Sequence, residues 1–130
     1  MRNQRMQWSS FFVSTVLLLA IFVNISSAAD YRPLVGRWQR TDGGYVIEIK
    51  QVAADGAIQA AYFNPRPINV SRATASEFND HLKVEVELRD TGYPGSSYTL
   101  LYNPDKDALF GFYYQAVQKQ NFDVVFVRMQ

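Results

Sequence analysis

The chain predicts an all-β fold, an eight-stranded antiparallel up-and-down β-barrel, and three observations carry that expectation. Apolar and polar residues alternate with a period of two in run after run. Turn-forming residues separate these runs at intervals of about ten residues, with no long helical pattern between them. The last run ends at the C-terminus, where an open strand edge invites aggregation, and pairing it with the first strand removes that edge.

The first 29 residues are not counted as fold. Met1 to Gln7 carries Arg2 and Arg5 and no acid, Phe11 to Val23 is an apolar run, and Ser27-Ala28-Ala29 supplies small residues before Asp30. This is the pattern of a secretory signal peptide cleaved after Ala29, and the expected destination is the periplasm or the cell exterior. The apolar run is shorter than the ~20 residues of a spanning helix, so no membrane attachment is expected after cleavage. Taking residues 1–29 from the 130 leaves 101, one domain of residues 30–130. The chain has no cysteine, which excludes disulfides and a lipidated thiol, so the domain depends on its core alone. Residues 30–130 hold 11 Lys and Arg against 12 Asp and Glu, scattered rather than clustered. That balance argues against a nucleic-acid partner.

Leu34 to Arg40 reads as the first strand, with Gly36, Trp38 and Arg40 on one face. Thr41-Asp42-Gly43-Gly44 is a hairpin turn. Tyr45 to Val52 alternates Tyr45, Ile47 and Ile49 against Glu48 and Lys50. Ala54-Asp55-Gly56 turns the chain into Ala57 to Asn64, which ends at Pro65 and Pro67, residues unable to donate to a ladder. Ile68 to Ala75 reads as a strand by alternation, although Ser71 to Phe78 also suits a helical turn or a lid. His81 to Arg89 sets Leu82, Val84, Val86 and Leu88 inward against charged neighbours. After Thr91-Gly92-Tyr93-Pro94-Gly95 comes a meander: Ser97 to Tyr102, Ala108 to Val117 and Phe122 to Met129, parted by Asn103-Pro104-Asp105-Lys106-Asp107 and by Gln118 to Asn121.

Gly36-Arg37-Trp38 near the start and Arg128 on the last strand resemble the signature of the calycin barrels, the group of lipocalins, fatty-acid-binding proteins and avidins. The resemblance implies that Trp38 closes one barrel end and that Arg128 packs across its indole, an arrangement favoured by cation–π attraction. The first three strands resemble the avidins more narrowly, through Gly36-x-Trp38 and Asp55-Gly56-Ala57-Ile58-Gln59-Ala60-Ala61-Tyr62. Tyr62 then stands where avidins place a tyrosine that donates to biotin. Arg40, Gly44 and Asn64 replace residues of that family's site, and Trp38 is the one tryptophan after the leader, so biotin binding is not expected.

Catalytic chemistry is sparse. His81, the lone histidine, reads as an exposed polar residue beside Asp80. Asn103-x-Asp105-x-Asp107 has the oxygen spacing of a calcium loop but lacks its glycine and glutamate, and a proline turn explains it. No enzyme activity, metal or cofactor is expected. The eight Tyr and nine Phe of the chain are more informative. Tyr45, Tyr62, Tyr98 and Tyr102 are expected to face the interior, where their hydroxyls are candidate handles for an apolar or aromatic small molecule. Phe110, Phe112 and Tyr114 lie on one face of their strand and Tyr113 on the other, making all four candidates for an interface with a second copy or an envelope protein.

Overall fold

The computed structural model describes residues 2–3, 19–23 and 27–130, so the expected leader lies mostly outside the described residues. A 3-10 turn at Arg32–Leu34 precedes nine strands: β1 Gly36–Arg40, β2 Val46–Val52, β3 Ile58–Phe63, β4 Pro67–Ile68, β5 Val70–Phe78, β6 His81–Leu88, β7 Ser97–Asn103, β8 Ala108–Gln115 and β9 Gln120–Arg128. All pair antiparallel in one sheet, in the order β4-β3-β2-β1-β9-β8-β7-β6-β5. The sheet curls into a nearly closed barrel.

Closure at the chain ends is as the sequence implies. Trp38 pairs with Arg128, Gln39 with Val127 and Arg40 with Phe126. The residual seam falls instead in the middle of the chain, between β3 and β5. Only a bridge between Ala57 and Thr74 and a 2.6 Å hydrogen bond from the Ala75 N–H to the Gly56 carbonyl cross it. Pro65 and Pro67 cannot donate there, which explains why the ladder does not continue. Gly56 makes the crossing possible: its φ is +91°, and a Cβ would collide with the Ala75 carbonyl.

The described residues form nine strands where eight were expected, because the fourth run divides at Asn69. The Asn69 backbone N–H and carboxamide both donate to the Asp90 carboxylate, at 2.8 and 2.7 Å, which takes that residue out of the ladder. Val70–Phe78 is a regular strand against β6, so the helical turn or lid does not form.

The interior is a packed aromatic and aliphatic core. Trp38, Ile47, Ile49, Tyr62, Tyr98, Leu100, Leu109 and Phe126 are at most 1 % exposed. Val84, Val86 and Leu88 of β6 join them, while Glu85 and Glu87 face outward. Strand β8 turns Leu109 and Tyr113 inward and leaves Phe112 half exposed on the outer wall. Tyr113 is therefore a core residue, stacked on Tyr98 at 4.7 Å between centroids, and not part of an outer interface. Its cross-strand pairing with Tyr98 fixes that direction.

One end of the barrel is sealed. The Trp38 indole N–H donates to the Leu34 carbonyl at 2.9 Å, and the Arg128 guanidinium lies 4.2 Å from the indole centroid. Arg128 donates to the Pro33 and Val35 carbonyls and grips both Asp107 oxygens, at 2.8 and 3.0 Å. Gly36 has φ +143°, and a Cβ on it would stand 2.6 Å from the Arg128 Nη1, so the glycine makes room for the clamp. The tryptophan and the arginine thus take up the positions that the resemblance implied.

Candidate functional site

At the opposite end the strands leave an open mouth of about 450 Å³. Arg40 ends β1, Tyr45 precedes β2, Asn64 follows β3, and Gln115 ends β8. Gly92 and Tyr93 come from the β6–β7 loop, Gln118 from the β8–β9 turn, and Phe122 from the start of β9. In an up-and-down barrel, ends of alternate strands share one rim, which is why residues so far apart in sequence meet here.

Arg40 is the centre of this end. It is nearly buried, and its guanidinium lies 4.1 Å from the Tyr45 ring centroid and 5.7 Å from that of Tyr113. Its Nε and Nη2 donate to the two oxygens of Asp42 at 2.8 and 2.7 Å, and its Nη1 donates to the Tyr98 hydroxyl at 3.1 Å. Burial works against the guanidinium charge, but the bonds to Asp42 and Tyr98 outweigh it and hold the pKa above the ordinary arginine value. The same contact with Arg40 holds the Asp42 carboxyl below the usual range.

Beneath the mouth, the Tyr98 and Tyr62 hydroxyls share a 2.8 Å hydrogen bond. Burial pushes Tyr98 up to about 12, despite the opposing influence of Tyr62 and Arg40. Burial, reinforced by Tyr98, pushes Tyr62 higher still. Tyr93 packs edge-on against Tyr62 at 6.3 Å, and its hydroxyl accepts a 2.6 Å bond from the Asn64 carboxamide. The result is a connected chain from Asp42 through Arg40 and Tyr98 to Tyr62, overlain by a second pair, Asn64 and Tyr93.

The four tyrosines singled out from the sequence therefore separate. Tyr62 and Tyr98 are interior, but their hydroxyls satisfy each other and Arg40. Tyr102 belongs to the sealed end, with its hydroxyl donating to Asp107 at 3.0 Å and its ring against Trp38. Only Tyr45 lines the mouth. No buried side-chain nitrogen or oxygen lacks a partner among the described residues. The interior hydroxyls of Tyr62 and Tyr98, expected as handles for a ligand, are thus absorbed by Arg40 and by each other.

Arg40, Asn64, Tyr93, Gln115, Gln118 and Phe122 were not picked out as ligand contacts from the sequence. The signal available was positional, since each sits beside a turn and the alternation of turns between rims assigns them to one end. Phe110, Phe112 and Tyr114 remain on the outer wall, where Phe112 borders a shallow recess of about 410 Å³ with Asp123 and Val125. His81 lies at the sealed end, beside Pro33 and Tyr102. In the Asn103 to Asp107 turn, the Asn103 side-chain oxygen accepts the Asp105 N–H at 3.0 Å and Asp107 is held by Arg128, so those oxygens serve the turn and the clamp. No group of three or more His, Cys, Asp or Glu side chains suited to a metal occurs among the described residues. No protein-family model, curated protein or solved structure matches the chain.

Proposed function

We propose that this protein is an exported small-molecule-binding barrel whose ligand, a compound with an aromatic or apolar ring, is held at the open mouth. The observation that carries this reading is the union at one rim of aromatic side chains with a few convergent polar groups around a concave volume, the usual make-up of a small-molecule site. The sealed opposite end supports it, because a barrel rigidly clamped at Trp38 and Arg128 holds its other rim in a fixed shape. Relationship to the calycin barrels is proposed on the same clamp and on the antiparallel nearly closed sheet. A binding role is preferred to an enzymatic one because the described residues of the mouth include no nucleophile with a neighbouring base, and His81 is at the far end.

The test is a thermal-shift and native mass-spectrometry survey of the domain, residues 30–130, against small aromatic metabolites and lipids. A hit should raise the melting temperature of the wild type, and Tyr93→Ala with Phe122→Ala should remove the response while the domain stays folded. A response that survives both substitutions would move the site elsewhere.

A second reading rests on Phe112, 51 % exposed on β8 above the recess of the outer wall. There the barrel would meet a second copy or an envelope protein, with Phe110 and Tyr114 alongside. Concentration-dependent sedimentation that disappears in Phe112→Ser supports it, and a monomer at every concentration contradicts self-association.

A further inference from the structure

The mouth has a charge pattern that constrains what it holds. Among the described residues its lining includes three carboxamides, Asn64, Gln115 and Gln118, and no carboxylate or ammonium group. The one cation among the described lining residues, Arg40, is already occupied. A guanidinium has five N–H donors, and the pair at Nε and Nη2, which suits a ligand carboxylate or phosphate, is taken by both oxygens of Asp42. Asp42 stands on the β1–β2 hairpin and borders the outer recess rather than the mouth. It therefore cancels the charge of Arg40 from behind without placing an acid beside the ligand.

The carboxamides retain donor and acceptor capacity. Asn64 uses one N–H on Tyr93 and keeps its oxygen and the other N–H. The Gln115 oxygen accepts the Gln118 backbone N–H at 2.7 Å, leaving the Gln115 amide hydrogens free of protein. A donor and an acceptor side by side on a planar group match an edge with the complementary pair, such as a ring nitrogen beside an amino group or an N–H beside a carbonyl. Tyr93 and Phe122 line the same rim, and aromatic side chains there can pack against such a ring.

We propose that the mouth selects uncharged heteroaromatic rings with an amide-like edge, and that Asp42, by capping Arg40, excludes anions. This rests on the mouth being the binding site, and the experiment separates the two ideas. Amide spectra of 15N-labelled protein are recorded during titration with adenine and thymine as uncharged probes, indole as an apolar ring, and benzoate and indole-3-acetate as anions. The expected result is half-saturation of the mouth resonances by adenine or thymine at a concentration about tenfold below that for either anion. Asp42→Asn, which keeps a turn-forming side chain, and Asp42→Ser as a second variant should tighten indole-3-acetate by about fivefold or more and leave the uncharged probes within about twofold. Asn64→Leu should weaken adenine or thymine by about fivefold and leave indole unchanged.

Equal binding of adenine and indole-3-acetate by the wild type, or no gain of anion binding in either Asp42 variant while both remain folded, overturns the proposal. Shifts of the mouth by indole alone overturn it and leave the mouth as the site. Mouth resonances that none of the five probes moves overturn the proposal and count against the mouth itself.

Discussion

Replacing Arg128 by alanine removes the clamp of the sealed end, and the structure allows the loss to be sized. The side chain gives up hydrogen bonds to two main-chain carbonyls, a two-point grip on Asp107, and the indole face of Trp38. The bonds to the Pro33 and Val35 carbonyls are worth about 1 kcal/mol each, since water can reach part of this end. The ion pair is about half exposed on the Asp107 side and contributes only ~0.5 kcal/mol. Cation–π attraction adds about 1 kcal/mol. A total loss of about 3.5 kcal/mol is a large share of the ~5–15 kcal/mol that holds a domain of this size together. The melting temperature of residues 30–130 should fall by roughly 14–28 °C, at 4–8 °C for each kcal/mol. Arg128→Lys should recover less than half of this, because an ammonium lacks the planar fork. Urea unfolding followed by Trp38 fluorescence measures it, Trp38 being the one tryptophan in the domain. A loss under about 1 kcal/mol for Arg128→Ala would refute the view that this arginine fastens the barrel.

Other outcomes follow from the same contacts. The Asp107 carboxyl is held below its ordinary value of 3.8 chiefly by the bond to Arg128, so it stabilises the fold above that pH and the contribution fades as the solution is acidified below it; acid unfolding of Asp107→Asn should lack this component. Tyr98 is raised from 10.0 to about 12 by burial, so its contribution is complete below pH 10 and is lost between about 10 and 12; absorbance titration should show Tyr62 and Tyr98 ionising only as the barrel unfolds. Tyr98→Phe removes the acceptor of the Arg40 bond and the partner of Tyr62, and chemical denaturation should register a loss of about 1–3 kcal/mol. Gly56→Ala places a methyl group against the Ala75 carbonyl at a positive φ, so hydrogen exchange at Ala75 should accelerate and stability should drop by more than about 1 kcal/mol.

Much of the fold was legible because strand alternation and turn chemistry are local. His81–Leu88 reads inward and outward from the sequence as it does in space, and Trp38 and Arg128 meet as the resemblance to the calycin barrels implied. What local pattern hides is pairing. Nothing near Asn69 announces that Asp90, distant in sequence, will take its donors and divide a strand. Nor does the aromatic run of β8 reveal which face is inward until Tyr113 is set opposite Tyr98. The site was harder to read for a related reason. Arg40 looks on paper like a polar residue ending a strand, and its meaning comes from a hairpin carboxylate, a tyrosine from β7 and two aromatic rings converging on it. The tyrosines drew notice as potential ligand handles, whereas their hydroxyls hydrogen-bond within the protein.

The most direct measurement is a map of amide and indole resonances of the 15N-labelled domain as a responding aromatic compound is added. The expected result is movement confined to Tyr45, Asn64, Tyr93, Gln115, Gln118 and Phe122, with the Trp38 indole N–H unmoved behind its bond to Leu34. Shifts centred on Trp38 and Arg128, with the mouth unchanged, would contradict it.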